Sequence, residues 1–214
     1  MVQWPRHKCY CSPNAPRTRS PLLAVIAGHF GVAMAARSRT ASVPLLALVI
    51  ASVAPDVIDF VTAALRVCGP NGLYSHSLPS IAFQAVMLGG AAAVWRRSPG
   101  AGAVIAAMVL LHLAADYITG LKVLWAGGPV VGLNLYSHPV ADFILEAAVT
   151  FTGWRMLRNS PMRDRWSSAP FVLAMLLSVQ AALDVASYVV GPVKPNGCPA
   201  SLPAPTSLRS EAGT

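Results

Sequence analysis

Apolar residues gather in six stretches along the chain, each near the length a helix needs to cross about 30 Å of hydrocarbon. They run Pro21–Ala36, Ser42–Val67, Leu78–Trp95, Ala101–Leu121, Pro139–Leu157 and Ala169–Val190. Pro139 and Pro170 stand where a first-turn proline is tolerated, because a helix leaves those N–H groups without partners anyway. Arg96-Arg97-Ser98-Pro99-Gly100 breaks the apolar pattern, and Gly127-Gly128-Pro129 opens a longer connection between the fourth and fifth stretches. The pattern predicts an all-α fold, a polytopic transmembrane bundle of about six helices. It divides the chain into a disordered basic arm over 1–20, a helical domain over 21–190 and a disordered Pro-rich tail over 191–214. The first stretch also fits a signal sequence ending at Ala33-Met34-Ala35-Ala36. The long leader before it and His29 inside it favour a retained span.

Composition sharpens this picture. The chain has 214 residues, of which 55% are hydrophobic and 11% charged, against about 25% charged in average soluble domains. So few charges cannot cover a water-facing surface, whereas a surface facing lipid needs none. The net charge is +8. The basic residues sit in short clusters between apolar runs, among them Arg37 with Arg39, Arg96 with Arg97, and the group from Arg155 to Arg165. That placement suits membrane flanks rather than nucleic acid, since no basic stripe alternates with aromatics. The clusters divide evenly between the two faces, so orientation stays open. The four cysteines form no C-x-x-C pair, which excludes a zinc ribbon or a dithiol redox motif. With the site face outside, Cys68 and Cys198 are candidates for a disulfide.

Ionisable residues inside these stretches change the reading most, because each costs roughly 2.5–3.5 kcal/mol near the centre of a bilayer. They are His29 in the first stretch, Asp56 and Asp59 in the second, His112 and Asp116 in the fourth, and Asp142 and Glu146 in the fifth. His76 and His138 stand at helix entrances. With helices alternating in direction, these groups gather in one half of the membrane, with His29 near mid-depth. His112 and Asp116 are four residues apart, as are His138, Asp142 and Glu146, while Asp56 and Asp59 are three apart; each set shares a helix face. Imidazole and carboxylate groups converging from several helices are how metal sites in bundle cores are built. That donor set suits zinc, manganese or iron. Glu146 is the weakest member of the set, and Asp184, with Gln180 one turn before it, reads as a structural bond between helices.

These residues also form a recognisable order: Gly28-His29, then Ala54-Pro55-Asp56-Val57-Ile58-Asp59, then Tyr74-Ser75-His76-Ser77-Leu78. His112-Leu113-Ala114-Ala115-Asp116-Tyr117-Ile118-Thr119-Gly120 follows, then Gly132-Leu133-Asn134-Leu135-Tyr136, His138-Pro139 and Asp142-Phe143. Over roughly residues 21–150 the chain resembles the bacterial membrane-bound metal-dependent hydrolase family (the DUF457 or YdjM-like group, also described as LexA-regulated inner-membrane proteins). It departs from that pattern before His76, where Leu73, Tyr74 and Ser75 stand, and in the spacing of Asp56 and Asp59. The resemblance implies a hydrolase of the bacterial cytoplasmic membrane without naming its substrate.

Residues and resemblance together give one expected mechanism. His29, Asp56, His76, His112 and Asp116 ligate one or two divalent ions, zinc favoured. The metal lowers the pKa of a water toward about 7. Asp59 or His138 takes the proton, and Asp142 orients His138. A lipid-borne ester or phosphodiester is the expected substrate, and membrane lipids are the expected surroundings. Two other classes stay open. A transporter or proton relay needs polar groups through both halves of the membrane, and a non-catalytic scaffold or regulatory protein needs no metal.

Overall fold

A computed structural model describes residues 26–64, 74–125 and 128–190. The expected arm over 1–20, the tail over 191–214 and all four cysteines lie outside the described residues. The described chain is mostly helical. Its six α-helices are α1 (Ile26–Arg39), α2 (Leu45–Ala64), α3 (Leu78–Arg96), α4 (Pro99–Thr119), α5 (Pro139–Arg158) and α6 (Pro170–Val190). Each falls on one of the six apolar stretches. Among the described residues two helices, α3 and α4, are long and apolar enough to cross a membrane.

Local chemistry sets the helix boundaries. Ser98 caps α4 by accepting a hydrogen bond from the Ala101 N–H at 3.3 Å, with Pro99 in the first turn. Arg97 takes a left-handed conformation, φ 49°, at the end of α3, so α3 and α4 turn back on each other within two residues. Pro55 lies inside α2. It supplies no N–H to the carbonyl four residues back and crowds it, which opens the helix one turn ahead of Asp56. A two-stranded antiparallel hairpin, β1 (Lys122–Val123) with β2 (Val130–Val131), fills the connection between α4 and α5. Nothing in the apolar pattern announced it, because strands of two residues have no readable period.

Helix α1 packs on α2 and α5, α2 also crosses α4, α3 pairs with α4, and α6 lies on α5. One core cluster, including Leu48, Ile81, Met108 and Val109, joins the first four helices; a second joins Met34 of α1 to Trp154, Leu157 and Leu176. Polarity is inverted relative to a water-soluble bundle. Large apolar side chains such as Leu46, Phe60, Val86, Trp95 and Val140 face outward, while imidazole and carboxyl groups face inward.

The α1–α5 contact is close enough to exclude side chains. A β-carbon on Gly31 would lie 2.6 Å from the Thr150 Cα, and one on Gly153 would land on the Gly31 carbonyl oxygen. Replacing Gly153 by Ala should therefore destabilise the protein by about 1–3 kcal/mol, since backbone must move. Helix propensity alone would give a gain of up to about 1 kcal/mol. Thermal unfolding of purified Gly153→Ala protein decides between them, and a raised midpoint would contradict the packing.

Candidate metal centre

Four side chains from three elements meet at one end of the bundle. Asp56 comes from α2 just past Pro55, His112 and Asp116 from α4, and His76 from the 3-10 turn Tyr74–His76 that leads into α3. One donor atom from each lies within 4.8 Å of the other three. His76 Nε2 is 2.9 Å from His112 Nε2, 2.9 Å from Asp116 Oδ2 and 3.2 Å from Asp56 Oδ1. His112 Nε2 is 3.4 Å from Asp116 Oδ2 and 3.8 Å from Asp56 Oδ1. His76, His112 and Asp116 are buried, while the Asp56 side chain keeps 36% exposure and marks the open side.

The far side of each imidazole fixes what its near side offers. His112 Nδ1 is 2.7 Å from the Ser52 carbonyl oxygen, which can only accept, so this nitrogen carries the hydrogen. That carbonyl lies on α2 three residues before Pro55. His76 Nδ1 lies 2.9 Å from Asp59 Oδ2 and 2.9 Å from Ser75 Oγ. His76 Nε2 and His112 Nε2 face each other across 2.9 Å, and two carboxylate oxygens close the same space. Against burial and the Lys122 charge, hydrogen bonds to Asp116, Asp56 and Asp59 raise the His76 pKa to about 10, so without a metal that ring is protonated on both nitrogens. A divalent cation could take the place of the Nε2 proton and draw on all four donor atoms. A tetrahedral ion with bonds of about 2.0 Å holds its ligands about 3.3 Å apart, and the observed separations bracket that value.

His29, from the first turns of α1, stands beside the four. Its ring centroid is 4.2 Å from that of His112, and its buried Nε2 has no hydrogen-bond partner and lies 3.9 Å from Asp56 Oδ2. That distance is within the reach of two donors on one ion, roughly 4 Å at most.

His138 is the N-cap of α5, with φ −124° and ψ 75°, and its carbonyl accepts from the Asp142 N–H at 3.0 Å. It is exposed, while Asp142 is buried inside the bundle. No hydrogen bond joins the two side chains among the described residues, and neither belongs to the group of four.

Asp142 instead belongs to a second polar set with Glu146, Gln180 and Asp184. Glu146 Oε2 accepts from the Gly28 N–H at 2.6 Å, and Gln180 Oε1 from the Ala27 N–H at 3.3 Å, so both cap the first turn of α1. Gln180 Nε2 donates to Asp184 Oδ1 at 2.9 Å within α6, and the bond that links this pair to another helix is the one from the Ala27 N–H to Gln180 Oε1. A β-carbon on Gly28 would meet the Glu146 carboxylate, which would have to shift from its place on the Gly28 N–H. The polar residues thus split into a cation-like centre and a cap on α1, a division that helix depth alone could not reveal.

Lys122, which in the sequence reads as one of the basic flanks of the apolar stretches, belongs to the site. It sits on β1, and its Nζ lies 2.9 Å from Asp116 Oδ2 with 11% side-chain exposure. Only the register of the hairpin reveals it, since a lysine just after an apolar helix otherwise reads as a flank. Tyr136 also packs near, its hydroxyl 3.1 Å from Thr119 Oγ1. Burial, and then the Asp116 carboxylate, push its phenol well above the usual range and keep it protonated.

No family model, characterised protein or solved structure matches this chain. Its chemistry is read from its own geometry.

Asp59 touches the centre through the ring of His76, as a positioning residue. Asp59→Asn should weaken divalent-metal affinity about 10–100-fold, measured by chelator competition. Equal affinities would remove Asp59 from that role.

Proposed function

We propose that this protein is a metal-dependent hydrolase embedded in the bacterial cytoplasmic membrane, with its six helices forming a polytopic bundle. One observation carries the metal reading: two imidazole nitrogens and two carboxylate oxygens, from three elements, converge with their donor atoms within 4.8 Å of one another. The membrane reading is supported by the inverted polarity and by the apolar lengths of α3 and α4. The order of motifs from Gly28-His29 to Asp142-Phe143 supports kinship with the YdjM-like hydrolase group.

In this reading Asp56, His76, His112 and Asp116 hold one divalent ion, and His29 is the further ligand at its side. Two nitrogens and two carboxylate oxygens favour zinc, with manganese or iron as the other matches to that donor set. Such an ion supplies Lewis acidity and acidifies a water to a pKa near 7. Asp59 and the Ser52 carbonyl hold the two rings at their Nδ1 hydrogens, which fixes the tautomers and the direction of Nε2. Asp56, half-buried on the open side, would be the ligand nearest an arriving substrate. The buried titratable side chains among the described residues keep to one end of the bundle. That suits a site facing a membrane surface, where an ester or phosphodiester carried by a lipid would meet it, better than a relay through the full thickness.

Elemental analysis of detergent-purified protein tests this directly. About one equivalent of a divalent transition metal is expected in wild type, and its loss in His112→Ala and Asp116→Ala. Folded wild type that stays free of metal after incubation with zinc, manganese and iron would end the metal reading in favour of a scaffold.

A further inference from the structure

Lys122 is the one Lys or Arg that forms an ion pair with a residue of the centre among the described residues. Its position is built rather than incidental. β1 pairs with β2, with Lys122 opposite Val131. The Leu78 N–H donates to the Leu124 carbonyl at 2.8 Å, tying the hairpin to the start of α3, and the Leu133 N–H donates to the Tyr117 carbonyl at 2.9 Å, tying it to α4. Gly132, at φ 140°, makes the bend where the chain passes over Gly120. The ammonium is thereby fixed over the same Asp116 oxygen that His76 and His112 approach.

That shared oxygen has a consequence for charge. Asp116 Oδ2 balances Lys122 while no other cation draws on it. Once a dication takes that oxygen, the ammonium loses most of its counter-charge while still nearly buried, and an unpaired buried cation is costly. It then needs an anion from outside. Nζ would lie within about 5 Å of the ion, given 2.9 Å to Oδ2 and a bond of about 2.0 Å beyond it. A tetrahedral oxyanion spans that gap, with one oxygen on the ion and another on the ammonium. Lysine serves phosphate well as a compact point charge. Asp56, the exposed member of the four, leaves the approach open.

We infer that Lys122 is the anion-recognising residue of this site and that the substrate is a phosphoryl ester, bound between Lys122 and the metal. This inference rests on the metal reading.

The test is phosphate binding by metal-loaded protein, by calorimetry, with metal content measured separately. Wild type should bind inorganic phosphate only when loaded. Lys122→Met should keep its metal and bind phosphate about 10–100-fold more weakly, as expected for a lost hydrogen bond between charged groups, and Lys122→Arg should recover part of the loss. In wild type, phosphate should protect Lys122 from acetylation, read by peptide mass, which does not depend on the variant folding. A second arm replaces phosphate by dihexanoyl phosphatidic acid: tighter binding than phosphate identifies a lipid headgroup, and equal binding a free phosphoryl group. Metal-loaded wild type that binds neither compound, unchanged binding in the Met variant, or acetylation indifferent to phosphate would each overturn the role of Lys122 and leave the metal centre standing. Wild type without metal would instead remove the premise.

Discussion

Two imidazole nitrogens and two carboxylate oxygens crowded into one space impose the constraint from which the rest of the site follows. The Ser52 carbonyl and the Asp59 carboxylate lie against Nδ1 of His112 and His76, and so set which edge of each ring faces the centre. The positive charge at this point, Lys122, reaches one of the carboxylates, Asp116. Helix packing holds the four together. His112 and Asp116 are stacked a turn apart on α4, and the turn bearing His76 is held between α2 and α3.

Backbone and chemistry meet on α2. Pro55 has no N–H to give the Ala51 carbonyl, and the next carbonyl along, that of Ser52, accepts from His112 Nδ1. One stretch of α2 thus supplies Asp56 and the support of His112.

The second polar set has a different purpose. Glu146 and Gln180 supply acceptors for the first N–H groups of α1, which would otherwise lack partners in an apolar surrounding. Their caps fix the start of α1, three residues or fewer before His29, so a structural set steadies a neighbour of the proposed metal centre. Asp142, expected to serve His138, lies with this set: its side chain is buried, whereas that of His138, at the cap of α5, is exposed.

Periodicity and composition sufficed for the six helices, since each apolar stretch is long and bounded by prolines, arginines or glycines that act locally. They also sufficed to place Asp56, His76, His112 and Asp116 at one end of the bundle, because alternating helix direction converts position in a segment into depth. Depth is one coordinate only. Which side chains at that depth touch one another depends on rotation and pairing of helices, set by close contacts such as Gly31 against Thr150 and by the crossing of α2 between α1 and α4. The tertiary structure alone therefore separated the centre from the cap on α1 and left His138 outside. It also brought Lys122 over Asp116 through a hairpin too short to leave a pattern in the sequence.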